Sequence, residues 1–88
     1  MLKYHAAYYR QDDGWYVVSL LDFSGVNSQG KTLRQARTMI KDALMLMVEC
    51  YLDEERPLPK PNPRAKDKTA DVQEKVALEM QARVLASS

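Results

Sequence analysis

The chain has 88 residues, with 13 lysines and arginines against 12 aspartates and glutamates and a formal net charge of +1. That length makes one domain, and folding removes only about 60–65 % of the unfolded surface from water, so the core is thin and a partner subunit would supplement it. A charge so near zero supplies no long-range field for nucleic acid or an acidic membrane, the single Cys50 excludes an internal disulfide, and no N-terminal run reads as a signal or a membrane span, so a soluble, cytoplasmic protein is expected.

Residues 2–9 and 15–20 are rich in aromatic and β-branched side chains, and Asp13-Gly14 between them is a turn signal, so a β-hairpin is expected. After Asp22-Phe23-Ser24-Gly25 a third short strand at Val26-Asn27-Ser28, bounded by Gly25 and Gly30, completes a meander. Thr32 stands where a helix N-cap belongs, and Gln35 three residues on can bond back to the Thr32 amide, which makes a capping box.

Leu33, Ala36, Ile40, Ala43, Leu44, Met47 and Tyr51 recur at helical spacing and form one broad face suited to covering the sheet. Met45, Val48 and Leu52 lie on a flank of that face, with Leu46 further round. A helix on a small domain needs one apolar stripe, so a second stripe asks for a second surface. Met45, Val48 and Leu52 are therefore assigned to an oligomer interface, in a homodimer or homotetramer.

Pro57, Pro59, Pro61 and Pro63 stop the helix and extend the chain into a strap. The charged segment 64–69 reads as a mobile loop. In the tail, 71–88, Val72, Val76, Met80 and Val84 repeat at four, as in a helix. Val76, Leu78, Met80, Ala82 and Val84 alternate with Lys75, Ala77, Glu79, Gln81 and Arg83, as in a strand, and residues alone leave the two open. Residues 1–63 are read as a β-β-β-α core with its proline-rich exit, and 64–88 as a loop and final element of the same domain.

The chemistry-bearing residues form no catalytic set. Asp12, Asp13, Asp22, Asp42, Glu49 and Asp53-Glu54-Glu55 fall in turns or on the polar side of the helix, where a solvated role is expected rather than convergence on a metal. His5, the one histidine, lies in a strand with no nucleophile motif beside it, and Cys50 reads as inert packing. No catalytic residue, metal ligand or cofactor is expected. Tyr4, Tyr8, Tyr9, Trp15 and Tyr16 lack interleaved arginines, so core and protein contact are favoured over an RNA platform. Tyr9 and Trp15 are assigned to partner binding on the sheet's outer face.

Asp13-Gly14-Trp15-Tyr16-Val17-Val18, then Leu21-Asp22-Phe23-Ser24-Gly25-Val26, then Gly30-Lys31-Thr32-Leu33-Arg34-Gln35-Ala36 resemble the HicB-like antitoxin family over residues 2 to 63. Phe23-Ser24 stands where that family usually has Leu-Pro. The resemblance implies an α+β, partial ribonuclease H-like fold: a three-stranded antiparallel meander, one long helix on the sheet, the strap, and a fourth strand, which tips the tail toward strand. It also implies an antitoxin of a type II toxin–antitoxin system that covers a HicA-like, mRNA-cleaving toxin, without enzymatic activity; the alternatives are a stand-alone oligomeric protein-binding module and a residual nucleic-acid-binding protein. A strand after Arg64 would leave no room for the DNA-binding unit many members carry, so DNA or RNA binding by this chain is not expected.

Overall fold

Val17, Val18 and the tyrosines of the first 16 residues favour extended chain, and they build the centre of an antiparallel sheet. The computed structural model describes residues 2–79. Within them Lys3–Arg10 (β1), Tyr16–Leu20 (β2), Asn27–Gly30 (β3), a helix Leu33–Asp53 (α1) and Val72–Ala77 (β4) follow in turn. The strands form one sheet in the order β3-β2-β1-β4, so β4 returns to the edge opposite β3. This is the α+β meander, helix and fourth strand expected from the sequence.

Strand register decides which side chains share a face. Tyr8 lies opposite Val18 and Val72, Ala6 opposite Leu20 and Glu74, and Tyr4 opposite Val76. These residues look toward α1, and their neighbours His5, Ala7, Tyr9, Val17 and Ser19 look the other way. Under the helix, Tyr4, Phe23 and Tyr51 stack at ring-centroid distances of 5.1 and 5.2 Å. Ala36, Ile40, Leu44 and Val48 bury the helix stripe against them.

The helix begins where the sequence puts it, with a modified box. Thr32 Oγ1 accepts from the Gln35 amide at 3.0 Å, while Gln35 Oε1 accepts from the Lys31 amide at 2.5 Å rather than from that of Thr32. The helix reverses at Glu55, which sits at φ 55° while the Arg56 amide bonds the Tyr51 carbonyl. Gly30 is where β3 meets the helix: a Cβ there would stand 2.5 Å from the Ala36 nitrogen.

Several expectations change. The third strand begins at Asn27, and Val26 is buried in the core instead. The fourth strand lies earlier than the 76–84 alternation suggested, at Val72–Ala77, and residues 80–88 lie outside the described residues. The 64–69 segment is not a free loop but is bonded to the sheet, as described below. Val48 has no exposed surface, because it belongs to the sheet-facing stripe and packs inside its own domain. It cannot line an oligomer interface. Met45 and Leu52 are half-buried against the same core. The large apolar side chains left exposed on the helix are Met39 and Leu46, at 41 % and 64 %. Cys50 is exposed rather than packed.

Candidate partner-binding surface

The face of the sheet away from α1 is divided in two. Over β1 and β4 the strap and the 61–70 segment form a roof. Over β2 and β3 the described residues leave the face open.

The roof is held by side chains at two points. The first is Asp22, at the corner after β2. Its Oδ1 accepts from the His5 amide at 2.8 Å, and its Oδ2 faces His5 Nδ1 at 2.7 Å and accepts from the Asn62 amide at 3.0 Å. Against an ionised carboxylate, Nδ1 carries the proton. The Asp22 side chain is only 2 % exposed, so the solvated role expected for it is corrected: it joins the first strand, the corner and the strap. Burial alone would raise its pKa, but the bonds from the His5 amide and ring and from the Asn62 amide outweigh it and hold the carboxyl below its ordinary value.

The second point is Asp67. Its Oδ2 accepts from the Tyr9 hydroxyl at 2.6 Å, and its Oδ1 accepts from the amide and hydroxyl of Thr69. Gln73 on β4 completes the tie, accepting from the Asp67 amide and donating to the Ala65 carbonyl. The bond to Asp67 is the main reason that the Tyr9 hydroxyl is pushed up to about 12, while the same bond lowers Asp67. Tyr4 adds a third tether from the core side, donating to the Pro59 carbonyl at 2.7 Å.

The open half carries Trp15, Val17, Ser19, Asn27 and Gln29. Val17 stands between Tyr9 and Gln29, and Ser19 between Ala7 and Asn27. Ser19 Oγ donates to Asn27 Oδ1 at 2.7 Å. Trp15, one residue before β2, is half-buried with the Lys31 ammonium 5.8 Å from its ring centroid. The two residues assigned to partner binding therefore sit differently: Trp15 is in the open half, and Tyr9 is at its border with its hydroxyl already engaged. The sequence reading missed Val17, Asn27 and Gln29. Strand alternation from Trp15 was the signal that could have found Val17.

This surface has little chemistry of its own. Among the described residues no three histidine, cysteine or acidic side chains gather as a metal site would require, and no helix is long and apolar enough to cross a membrane. An aromatic and a β-branched side chain ringed by amides and a hydroxyl suit contact with a protein.

Residues 3–83 match the family model described as the HicB-like antitoxin of bacterial toxin-antitoxin system. The chain belongs to this family. The UPF0150 protein Ta0767 of Thermoplasma acidophilum is 31 % identical over 61 residues, which span 69 % of this chain and 88 % of that protein. Among solved structures, the N-terminal domain of the Burkholderia pseudomallei antitoxin HicB is similar with a TM-score of 0.77 and 22 % identity, covering 90 % of this HicB-like chain and all of that one. A chain of the HicA3 and HicB3 toxin-antitoxin complex aligns with a TM-score of 0.68 and 19 % identity, again over 90 % of this chain and all of that one. At such identities these structures speak for the shared fold.

Proposed function

We propose that this HicB-like chain is an antitoxin that binds a HicA-type, mRNA-cleaving toxin and blocks it by occupying its RNA-binding or catalytic face. The observation that carries the proposal is the open half of the outer sheet face, with the half-buried Trp15 at its edge, one residue before β2, and no cluster of metal-binding side chains among the described residues. Trp is enriched at the energetic centres of protein interfaces, because it buries a large area with few torsions to fix. The action is steric, and the chain works without enzymatic activity of its own. Solved domains of this fold include a toxin–antitoxin complex, which supports the partner class.

The test is co-expression with each small protein encoded beside it. One should arrest growth alone, be rescued by this chain, and co-purify with it through an interface of about 1,200–2,000 Å². Trp15→Ala should lose rescue while the domain stays folded. Rescue of none, or rescue that survives Trp15→Ala, would contradict the proposal.

Self-association, expected from the second helix stripe, now rests on Met39 and Leu46, which lie two helical turns apart on one side of α1. Leu46→Lys should convert a dimer into a folded monomer in sedimentation. A native chain that is already monomeric at micromolar concentration would end that reading.

A further inference from the structure

The net charge of +1 conceals a segregation. Between Asp42 and Glu55 the chain has five acidic residues and no lysine or arginine, whereas between Lys60 and Lys68 it has four cations and one acid, Asp67. Folding gathers part of the basic group around a concave site. Between the 63–70 segment and β4 runs an open groove of about 610 Å³, with Arg64, Lys66 and Lys68 on one wall, Lys75 on the other, and His5 among its lining residues.

The acids of this groove offset its charge only in part. Asp67 stays ionised, its carboxylate accepting from Tyr9 and Thr69, and offsets one of the four cations, while Glu74 is paired with Arg37, whose Nε lies 2.8 Å from its Oε1. Among the described residues the ion pairs are His5–Asp22, Arg37–Glu74 and Arg56–Glu54, and none involves the four cations of the groove. They remain available to an external anion. A local field of this kind depends on where the charges lie, which a net charge does not register.

The geometry points to a binding site in this groove for the phosphodiester backbone of a single nucleic-acid strand. The groove is of the size that takes small ligands, about 300–1,000 Å³, so it holds a short stretch of one strand along its floor. The apolar lining consists of Pro63, Ala65 and Ala70, which gives a protein partner no large anchor. Nucleic-acid contacts, by contrast, are polar and strongly positive. Among the described residues no Phe, Tyr or Trp lines the groove and the His5 ring is nearly buried against Asp22, so bases have no stacking platform, and contact is to phosphates without sequence preference. This surface is separate from the open half that carries Trp15, so strand binding and toxin binding can be lost independently.

The experiment is fluorescence anisotropy of a labelled, mixed-sequence 12-nucleotide RNA, and of the matching single-stranded DNA, titrated with the full chain. With four phosphate contacts the logarithmic salt slope should be about −2.8, so binding weakens about 50-fold between 50 and 200 mM salt. Lys66→Glu with Lys68→Glu should reduce affinity at least tenfold at 50 mM salt with an unchanged circular dichroism spectrum. Lys66→Arg with Lys68→Arg should retain binding, and Trp15→Ala should leave it unchanged. Binding that ignores salt, survives the charge reversal or is absent would overturn the assignment. So would equal displacement by polyglutamate, which would make the groove a site for acidic peptides, or displacement by millimolar inorganic phosphate, which would make it a site for one anion.

Discussion

The two halves of the outer sheet face are built on different physics. The open half, β2 and β3, is pinned from behind: Gly30 brings β3 against the backbone of Ala36 so closely that no side chain fits between them. The roofed half, β1 and β4, is pinned from the front by Asp22 and by the Tyr9–Asp67 bond, both charge-assisted. Backbone packing does not titrate, whereas carboxylates and phenols do. One half should therefore respond to steric substitution and the other to pH.

The largest expected effect breaks the open half. In Gly30→Ala the new methyl would meet the Ala36 nitrogen at 2.5 Å and Cα at 2.9 Å, and backbone cannot rotate away as a side chain can. Overpacking of this kind costs about 3 kcal/mol or more. Thermal unfolding should show it, with β3 amides losing protection first.

Next, Asp22→Ala breaks the roofed half. It strands the His5 and Asn62 amides without their acceptor, at about 2–3 kcal/mol. The same latch sets an acid limit. Asp22 has a depressed pKa in the folded chain, so its contribution is full above the ordinary value of 3.8 and disappears as pH falls below it through the folded value. Urea midpoints measured from pH 6 downward should fall across that window in the native chain and much less in Asp22→Asn.

A smaller effect belongs to Tyr9. Its pKa is raised from 10.0 to about 12, so the bond to Asp67 stabilises fully below pH 10 and is lost as pH rises toward 12. Tyr8, pushed to about 12 chiefly by burial, adds to the same alkaline loss. Tyr9→Phe should shrink that loss without abolishing it, and should raise amide exchange in residues 64–69 at neutral pH. The smallest effect on stability is expected for Trp15→Ala, within about 0.5–1 kcal/mol for a partly exposed site, so loss of partner binding there would not be a folding defect.

Much of this architecture can be read from the residues. Asp13-Gly14 marks the hairpin, Thr32 the helix start and the prolines its end. The fourth strand was harder to place, because Val72, Glu74, Val76 and Leu78 share the helix-facing side and the charged Glu74 interrupts the apolar alternation. Glu74 is tolerated there because Arg37 reaches it from the helix, a partner 37 residues away that no local pattern reveals. The all-round apolar character of α1 had a similar explanation. Val48 serves the chain's own four-stranded sheet, so that stripe does not imply another subunit. The roof was missed because a charged, proline-spaced segment looks solvated until its polar groups find strand partners, and Asp22 was missed for the same reason.

The central claim is that the open half receives the partner. Hydrogen exchange read by mass spectrometry, comparing the chain alone with the chain in complex with the neighbouring protein whose growth arrest it relieves, tests this most directly. New protection is expected in residues 15–19 and 27–31, with residues 63–70 unchanged. Protection confined to the 63–75 groove, with residues 15–19 exchanging as in the free chain, would contradict it.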